Sequence, residues 1–338
     1  MNQKIIYYLG AGASAGAIPV VNKINDRIDE QQKLIKIWLL KFDYEQEIKH
    51  FLTWYEQLLL MFVNDLKQTP SIDTLAKVYL YSNPTKYQAY NNFISYFFAI
   101  EEFLGGIDKR YLGFIAGILN GSNKNLNEKI LVYSWNYDLQ FERAYSIFLS
   151  DSDKLHGASL PEYYLNRLPS QDFNPLSEKF SLIKLNGTLG YLENKTKNFI
   201  SIDFIKGIKT EQELLLSLFN LKIKVTNKPE SFKNLLRYSW EFKPNSADYS
   251  NFSSHYNVNL ISPKEVVLVV IGYSFPFFNR EIDKRILGSL KLNKVYIQAP
   301  NEALPGIKSS FRSIKPEFSE TNIELINSID SFFIAPQL

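Results

Sequence analysis

Two hydrophobic periods divide the chain. Near its start, Lys4 to Leu9 is a short, mostly apolar run that stops at Gly10, as a buried strand does. From about residue 21 to 120 the period changes. "QQKLIKIWLLKF" and "IKHFLTWYEQLLLMFVNDLKQ" place apolar residues at i, i+3, i+4 and i+7, which predicts amphipathic helices. Pro70 and Ser71 mark a helix start, and Gly105-Gly106 closes the helical pattern of "KYQAYNNFISYFFAIEEFLGG". The Trp, Phe and Leu stripes of these segments are read as helix core.

Strand patterning returns at "EKILVYSWNYD" (Glu128 to Asp138). "FSLIKLNGTLGYL" (Phe180 to Leu192) reads as a second strand, ending in Gly187. "EVVLVVIGYSF" (Glu265 to Phe275) is apolar for most of its length, as a central parallel strand is. "NKVYIQAP" (Asn293 to Pro300) follows, and "SFFIAP" (Ser331 to Pro336) is the candidate last strand. Helical segments such as "NREIDKRILGSL" lie between. This alternation predicts an α/β fold with a doubly wound, Rossmann-like parallel sheet. The helical stretch over 21–125 is expected as an inserted layer within one domain spanning 1–338.

Composition narrows the function classes. Lys and Arg number 38 against 35 Asp and Glu, a net charge of +3, which does not argue for nucleic acid as a partner. The chain has no cysteine, so disulfides and Cys-based zinc sites are excluded. Its three histidines, His50, His156 and His255, are far apart in sequence, and no metal is expected. The absence of cysteine fits a reducing cytoplasm, the expected location, and no apolar run approaches the roughly 18–20 residues that span a bilayer, so no membrane contact is expected.

The stretch "YYLGAGASAGAIPV" (Tyr7 to Val20) admits three readings. The apolar run from Ile5 to Leu9 is short for the core of a signal peptide. A strand, a glycine turn and a helix starting near Val20 form the geometry that holds a pyrophosphate, because small residues admit the phosphates to the backbone N–H groups. The spacing Gly10-x-Gly12-x-x-x-Gly16 is not the usual dinucleotide fingerprint, so a tight turn without a ligand stays open. Three further strand ends carry small or polar groups: Ser134, Asn136 and Asp138; Asn186, Gly187 and Thr188; Gly272 and Ser274. In a parallel sheet, ligands lie beyond these ends.

Taken together, the motifs resemble the sirtuin family. "GAGASAGAIP" is similar to its Gly-Ala-Gly-x-Ser…Ile-Pro opening and "WNYD" to its Asn-x-Asp strand end. "KLNGTLGY" is similar to its Leu-His-Gly segment, "GYSFPFFNREI" to its late Gly-x-Ser segment, and "SIDTL" to an Ile-Asp element of bacterial members. The absent zinc module sets the chain apart from the deacetylases. It resembles the zinc-free, sirtuin-like NADases of bacterial anti-phage defence. That resemblance implies a single sirtuin-like NAD-binding domain that splits NAD+ into nicotinamide and ADP-ribose in an abortive-infection system, gated by a second defence protein in a hetero-oligomer. NAD+ is then substrate, not resident cofactor.

By this resemblance Asn136 orients ribose and water, and Asp138 holds neighbouring backbone or ribose. Gly10, Ala11, Gly12, Ala13 and Ser14 cradle the pyrophosphate, Gly187 is a further NAD-binding residue, and Gly272 and Ser274 lie near the adenosine half. One position departs from the family: Asn186 stands where the family carries a general-base histidine, and Asn takes no proton near neutral pH. His156, in "KLHGASL", is the competing candidate for the base. Two functions therefore compete, a gated NAD+ hydrolase and a non-catalytic module that binds NAD or ADP-ribose.

Overall fold

The computed structural model describes residues 3–120, 125–149, 165–166, 180–194, 199–201, 207–227, 232–236, 238–241, 265–288 and 290–338. The chain divides into two compact units. One comprises Met1–Gly16, Ile107–Gly187 and Arg237–Leu338; the other comprises Ala17–Gly106 and Thr188–Leu236.

The first unit opens with β1 (Lys4–Leu9). A small antiparallel pair follows, β2 (Leu119–Asn120) and β3 (Asn125–Leu126). Next come β4 (Ile130–Ser134), β5 (Leu165–Asn166) and β6 (Ser181–Lys184). Strands β7 (Gly187–Asn194), β8 (Phe199–Ser201) and β9 (Phe232–Leu236), which from Thr188 onward belong to the second unit, form a separate three-stranded sheet. The last three are β10 (Val266–Ile271), β11 (Leu292–Gln298) and β12 (Ile323–Ile326).

Seven of these strands make one sheet in the order β12-β11-β10-β1-β4-β6-β5, every neighbouring pair parallel. The α/β, doubly wound architecture is as the patterning predicts. From β1 the chain adds β4, β5 and β6 on one side, then returns to add β10, β11 and β12 on the other. The order reverses between β1 and β10, which is where an open parallel sheet leaves a crevice for a ligand.

Both faces of the sheet are covered, which is why β10 is apolar and buried at every position. On one face Tyr8, Leu131, Leu268 and Val270 pack with Ile286 of the helix Arg280–Gly288 and Phe311 of the helix Leu304–Ile314. On the other, the Tyr7 ring meets Phe114 at 4.7 Å. Among the described residues no helix is long and apolar enough to cross a membrane.

The second unit is mainly helical: α1 (Ile24–Lys41), α2 (Gln46–Lys67), α3 (Ile72–Ser82) and α4 (Pro84–Gly105), with the helix Glu211–Asn227. Ser71 caps α3 by accepting from the Thr74 N–H. Phe51, Tyr55, Tyr90 and Phe93 fill the interior. A buried carboxylate, Glu101, accepts from Arg27 Nε at 2.7 Å and from Gln31 Nε2 at 2.6 Å. Burial nevertheless pushes its pKa above the ordinary value, outweighing Arg27.

Three expectations are corrected. The helical segment expected over 21–125 ends at Gly106, whose φ of +67° turns the chain, and 188–236 joins the same unit. The next helix, α5 (Lys109–Ile118), belongs to the first unit and packs on α6 (Gln140–Phe148). The strand expected over 180–192 is two strands, because Leu185–Asn186 turn and Gly187 has φ +73°. "SFFIAP" is not a strand, and the last strand is β12. The polar groups of that segment are met by side chains: the Phe333 N–H donates to Gln298 Oε1 and the Ala335 N–H to the Tyr7 hydroxyl. Its Phe332 ring packs on Tyr111 at 4.8 Å.

Candidate functional site

The sheet ladder runs one residue past the strands and so brings the strand ends together. Gly10 N–H donates to Ile271 O at 3.0 Å, and Trp135 N–H to Leu9 O at 2.9 Å. Leu185 N–H donates to Ser134 O at 2.8 Å, and Gly272 N–H to Gln298 O at 3.0 Å. All four polar groups picked out at strand ends thus lie at one edge of the sheet, on both sides of the reversal.

Residues Ala11–Ser14 form a single 3-10 turn. The Gly12 N–H donates to Gly272 O at 2.9 Å. A Cβ on Gly12 would lie 2.8 Å from Gly272 Cα, and a Cβ on Gly272, where φ is +59°, would lie 2.4 Å from Ala13 N. The protein's own backbone therefore requires these two glycines to be small. This alters the reading of Gly12 as a gap left for phosphate: a bulky residue there would separate the two turns before it met a ligand. Ala11 is exposed at the turn's outer side, while Gly10, Ala13 and Ser14 are buried.

Asn136 holds this turn from below. Its Nδ2 donates to Gly10 O at 2.9 Å and to Ser14 Oγ at 3.0 Å. Ser14 Oγ also lies 3.0 Å from the Tyr111 hydroxyl. Asp138 is buried, its Oδ1 accepting the Gln140 N–H at 3.2 Å. Its carbonyl accepts from the buried Lys184 ammonium, which lies 3.5 Å from Glu142. Asn186 is 7% exposed and donates from Nδ2 to Trp135 O at 3.0 Å. Its Oδ1 is buried and has no hydrogen-bond partner among the described residues. Asn136 and Asn186 are thus neighbours through the Trp135 backbone. His156 lies outside the described residues.

On the β10 side the chain is tense. Phe275, before Pro276, has φ +53°, the one non-glycine in the left-handed region among the described residues. It is held by aromatic packing, stacked on Tyr8 at 6.1 Å and edge-on to Tyr273 at 4.9 Å. Beneath it, the fully buried Asp283 accepts from Tyr8 at 2.5 Å and from Tyr273 at 2.9 Å. Burial pushes the Asp283 carboxyl up to about 7, against the opposing pull of the two phenols. Ser274 is exposed at the tip of this turn.

Sequence patterning missed Asp108, Arg110, Tyr111, Lys184 and Asp283, all of which touch the strand-end loops. Asp108 alone left a signal, an N-cap residue two places after Gly106. No protein-family model and no curated protein matches the chain.

Proposed function

We propose that the chain binds NAD+ across the β1–β10 reversal and hydrolyses its nicotinamide–ribose bond. One observation carries this reading: the buried Asn186 Oδ1, without a partner among the described residues, beside Asn136 at the strand ends. Leaving such an acceptor unpaired costs about 1–3 kcal/mol, and a ribose hydroxyl or a water supplies the missing donor. In the reaction a water oxygen bonds to the ribose anomeric carbon as the carbon–nitrogen bond breaks. The bonding pair leaves with neutral nicotinamide, and the water proton passes to solvent. Positive charge grows on the ribose ring in between, so an amide oxygen pointing toward it is favourable. Asn136, tied to Gly10 and Ser14, keeps the turn in register with that ribose. General acid–base catalysis typically contributes about 10²–10⁴-fold, so its absence leaves a slow hydrolase rather than none.

A second reading, binding of NAD or ADP-ribose without turnover, is favoured by Asn186 in the base position. Of the three histidines, His50 lies in the helical unit, and His156 and His255 lie outside the described residues. Chromatography of NAD+ incubated with the purified chain separates the two. Hydrolysis predicts equal nicotinamide and ADP-ribose; unchanged NAD+ with a measurable Kd supports the binding module. Absence of both turnover and binding would discard the NAD reading.

A role in anti-phage defence, in the cytoplasm and gated by a second protein, rests on the family resemblance. Its test is the same assay on the chain recovered with any protein that co-purifies. A chain that is monomeric, recovers no partner and is fully active alone would refute the gating.

A further inference from the structure

The glycine turn is gripped by two charged residues that the mechanism above does not use. Arg110 Nη2 donates to the Ala13 carbonyl at 3.1 Å and reaches that of Gly12 at 3.4 Å. Its Nε and Nη2 also meet the Asp108 carboxylate, at 3.0, 3.1 and 2.5 Å. Asp108 Oδ2 accepts the Gly16 N–H at 3.0 Å. Behind the pair, the Asp108 N–H donates to Gln140 Oε1 at 2.7 Å, and Gln140 N–H in turn donates to Asp138. The carboxylate and the guanidinium are 4% and 16% exposed, and burial, which alone would raise the Asp108 pKa, is outweighed by Arg110.

The place of this grip in the chain is informative. Gly16 is the last residue before the chain enters the helical unit, and Ile107 is the first after it returns. Within that unit the two connections also touch, since a Cβ on Gly105 would lie 2.0 Å from the Ala17 carbonyl oxygen. Departing and returning segments run side by side, and Asp108 and Arg110 fasten the turn at their junction.

We propose that Asp108 and Arg110 are positioning residues for the dinucleotide: they set the backbone of the Gly10–Gly16 turn, and the affinity for the pyrophosphate depends on them. The inference rests on the NAD reading above. The pair's charges cancel, so it acts through the shape of the turn and not as a cationic phosphate ligand. The guanidinium holds two carbonyls and the carboxylate paired with it holds the Gly16 N–H, an arrangement that a lysine ammonium, lacking the planar fork, does not reproduce.

The test compares wild type with Arg110→Ala, Arg110→Lys and Asp108→Asn. Calorimetry with ADP-ribose and NAD+ turnover are measured well below each melting temperature. The expected result is a Kd and KM raised about tenfold or more in Arg110→Ala, with kcat within about twofold and only partial rescue by lysine. Amide hydrogen exchange at Ala11–Gly16 should quicken in the same variant. A folded Arg110→Ala protein with wild-type Kd and KM would overturn the proposal, as would an effect confined to the melting temperature. Should Arg110→Ala not fold, Arg110→Lys and Asp108→Asn carry the same comparison, and wild-type affinity in both overturns it. Wild-type protein that binds neither ligand fails the NAD reading itself, a separate outcome.

Discussion

At the carboxyl end of β4, Asn136 uses its amide nitrogen on the protein, donating to Gly10 and Ser14. At the end of β6, Asn186 donates once, to Trp135, and leaves its carbonyl oxygen buried without a partner among the described residues. The two amides share a chemistry and a neighbourhood and differ in how far the fold satisfies them. A satisfied buried amide supports its surroundings; an unsatisfied one can take a donor from a water or a ligand. Asn136 thus has a structural role in holding the turn, and on the proposed NAD+ reading Asn186 is the better candidate for contact with the ligand.

The largest effect is expected from Asn136→Ala. NAD+ turnover should fall about a hundredfold or more. The loss of two buried acceptors' partner should also lower stability by about 1–3 kcal/mol, read as a lower melting temperature. Wild-type turnover in a folded variant would break the comparison and leave only the binding module.

The β10 side sharpens it through pH. The folded Asp283 pKa of about 7 lies above its ordinary 3.8, so the folded state holds a proton that the unfolded chain releases. That stabilisation is complete below about pH 4 and is lost as pH rises through 7, on the order of 1–3 kcal/mol between pH 5 and 8. Asp283→Asn should flatten this part of the stability curve in chemical denaturation. An unchanged slope would mean that Tyr8 and Tyr273 keep the carboxylate ionised.

A subtler contrast comes from Asn186→Leu, which removes the unpaired oxygen at similar size. Its melting temperature should change little, because relief of the unpaired oxygen offsets the loss of the Nδ2 donor to the Trp135 carbonyl. ADP-ribose affinity should drop about tenfold by calorimetry, the value of a lost ligand hydrogen bond with its desolvation. Strong destabilisation with unaltered affinity would reverse the roles assigned to the two asparagines. The smallest change is that of Asn186→His, expected to raise kcat a few-fold by restoring a base. Were His156 the base, this variant would do nothing and His156→Ala would abolish turnover.

Much of the sheet was legible in the sequence, because strand and helix periods are local. Lys4–Leu9, Ile130–Ser134 and Val266–Ile271 announce themselves by apolar runs that stop at Gly or polar residues. The residues just beyond these runs, Gly10, Asn136 and Gly272, were legible as well, since a parallel sheet exposes its carboxyl ends. Three things needed the tertiary structure. Only the fold brings Gly12 and Gly272 into a backbone contact that explains both glycines. Asp108 and Arg110 sit on a helix whose pattern gives no hint that they clasp a turn distant in sequence. Whether a buried amide is satisfied, as Asn136 Nδ2 is and, among the described residues, Asn186 Oδ1 is not, depends on which atoms of distant segments arrive beside it. Periodicity reports which side of an element faces the core; hydrogen-bond partners across strands are set by register and packing, and those exist only once the sheet has closed around its reversal.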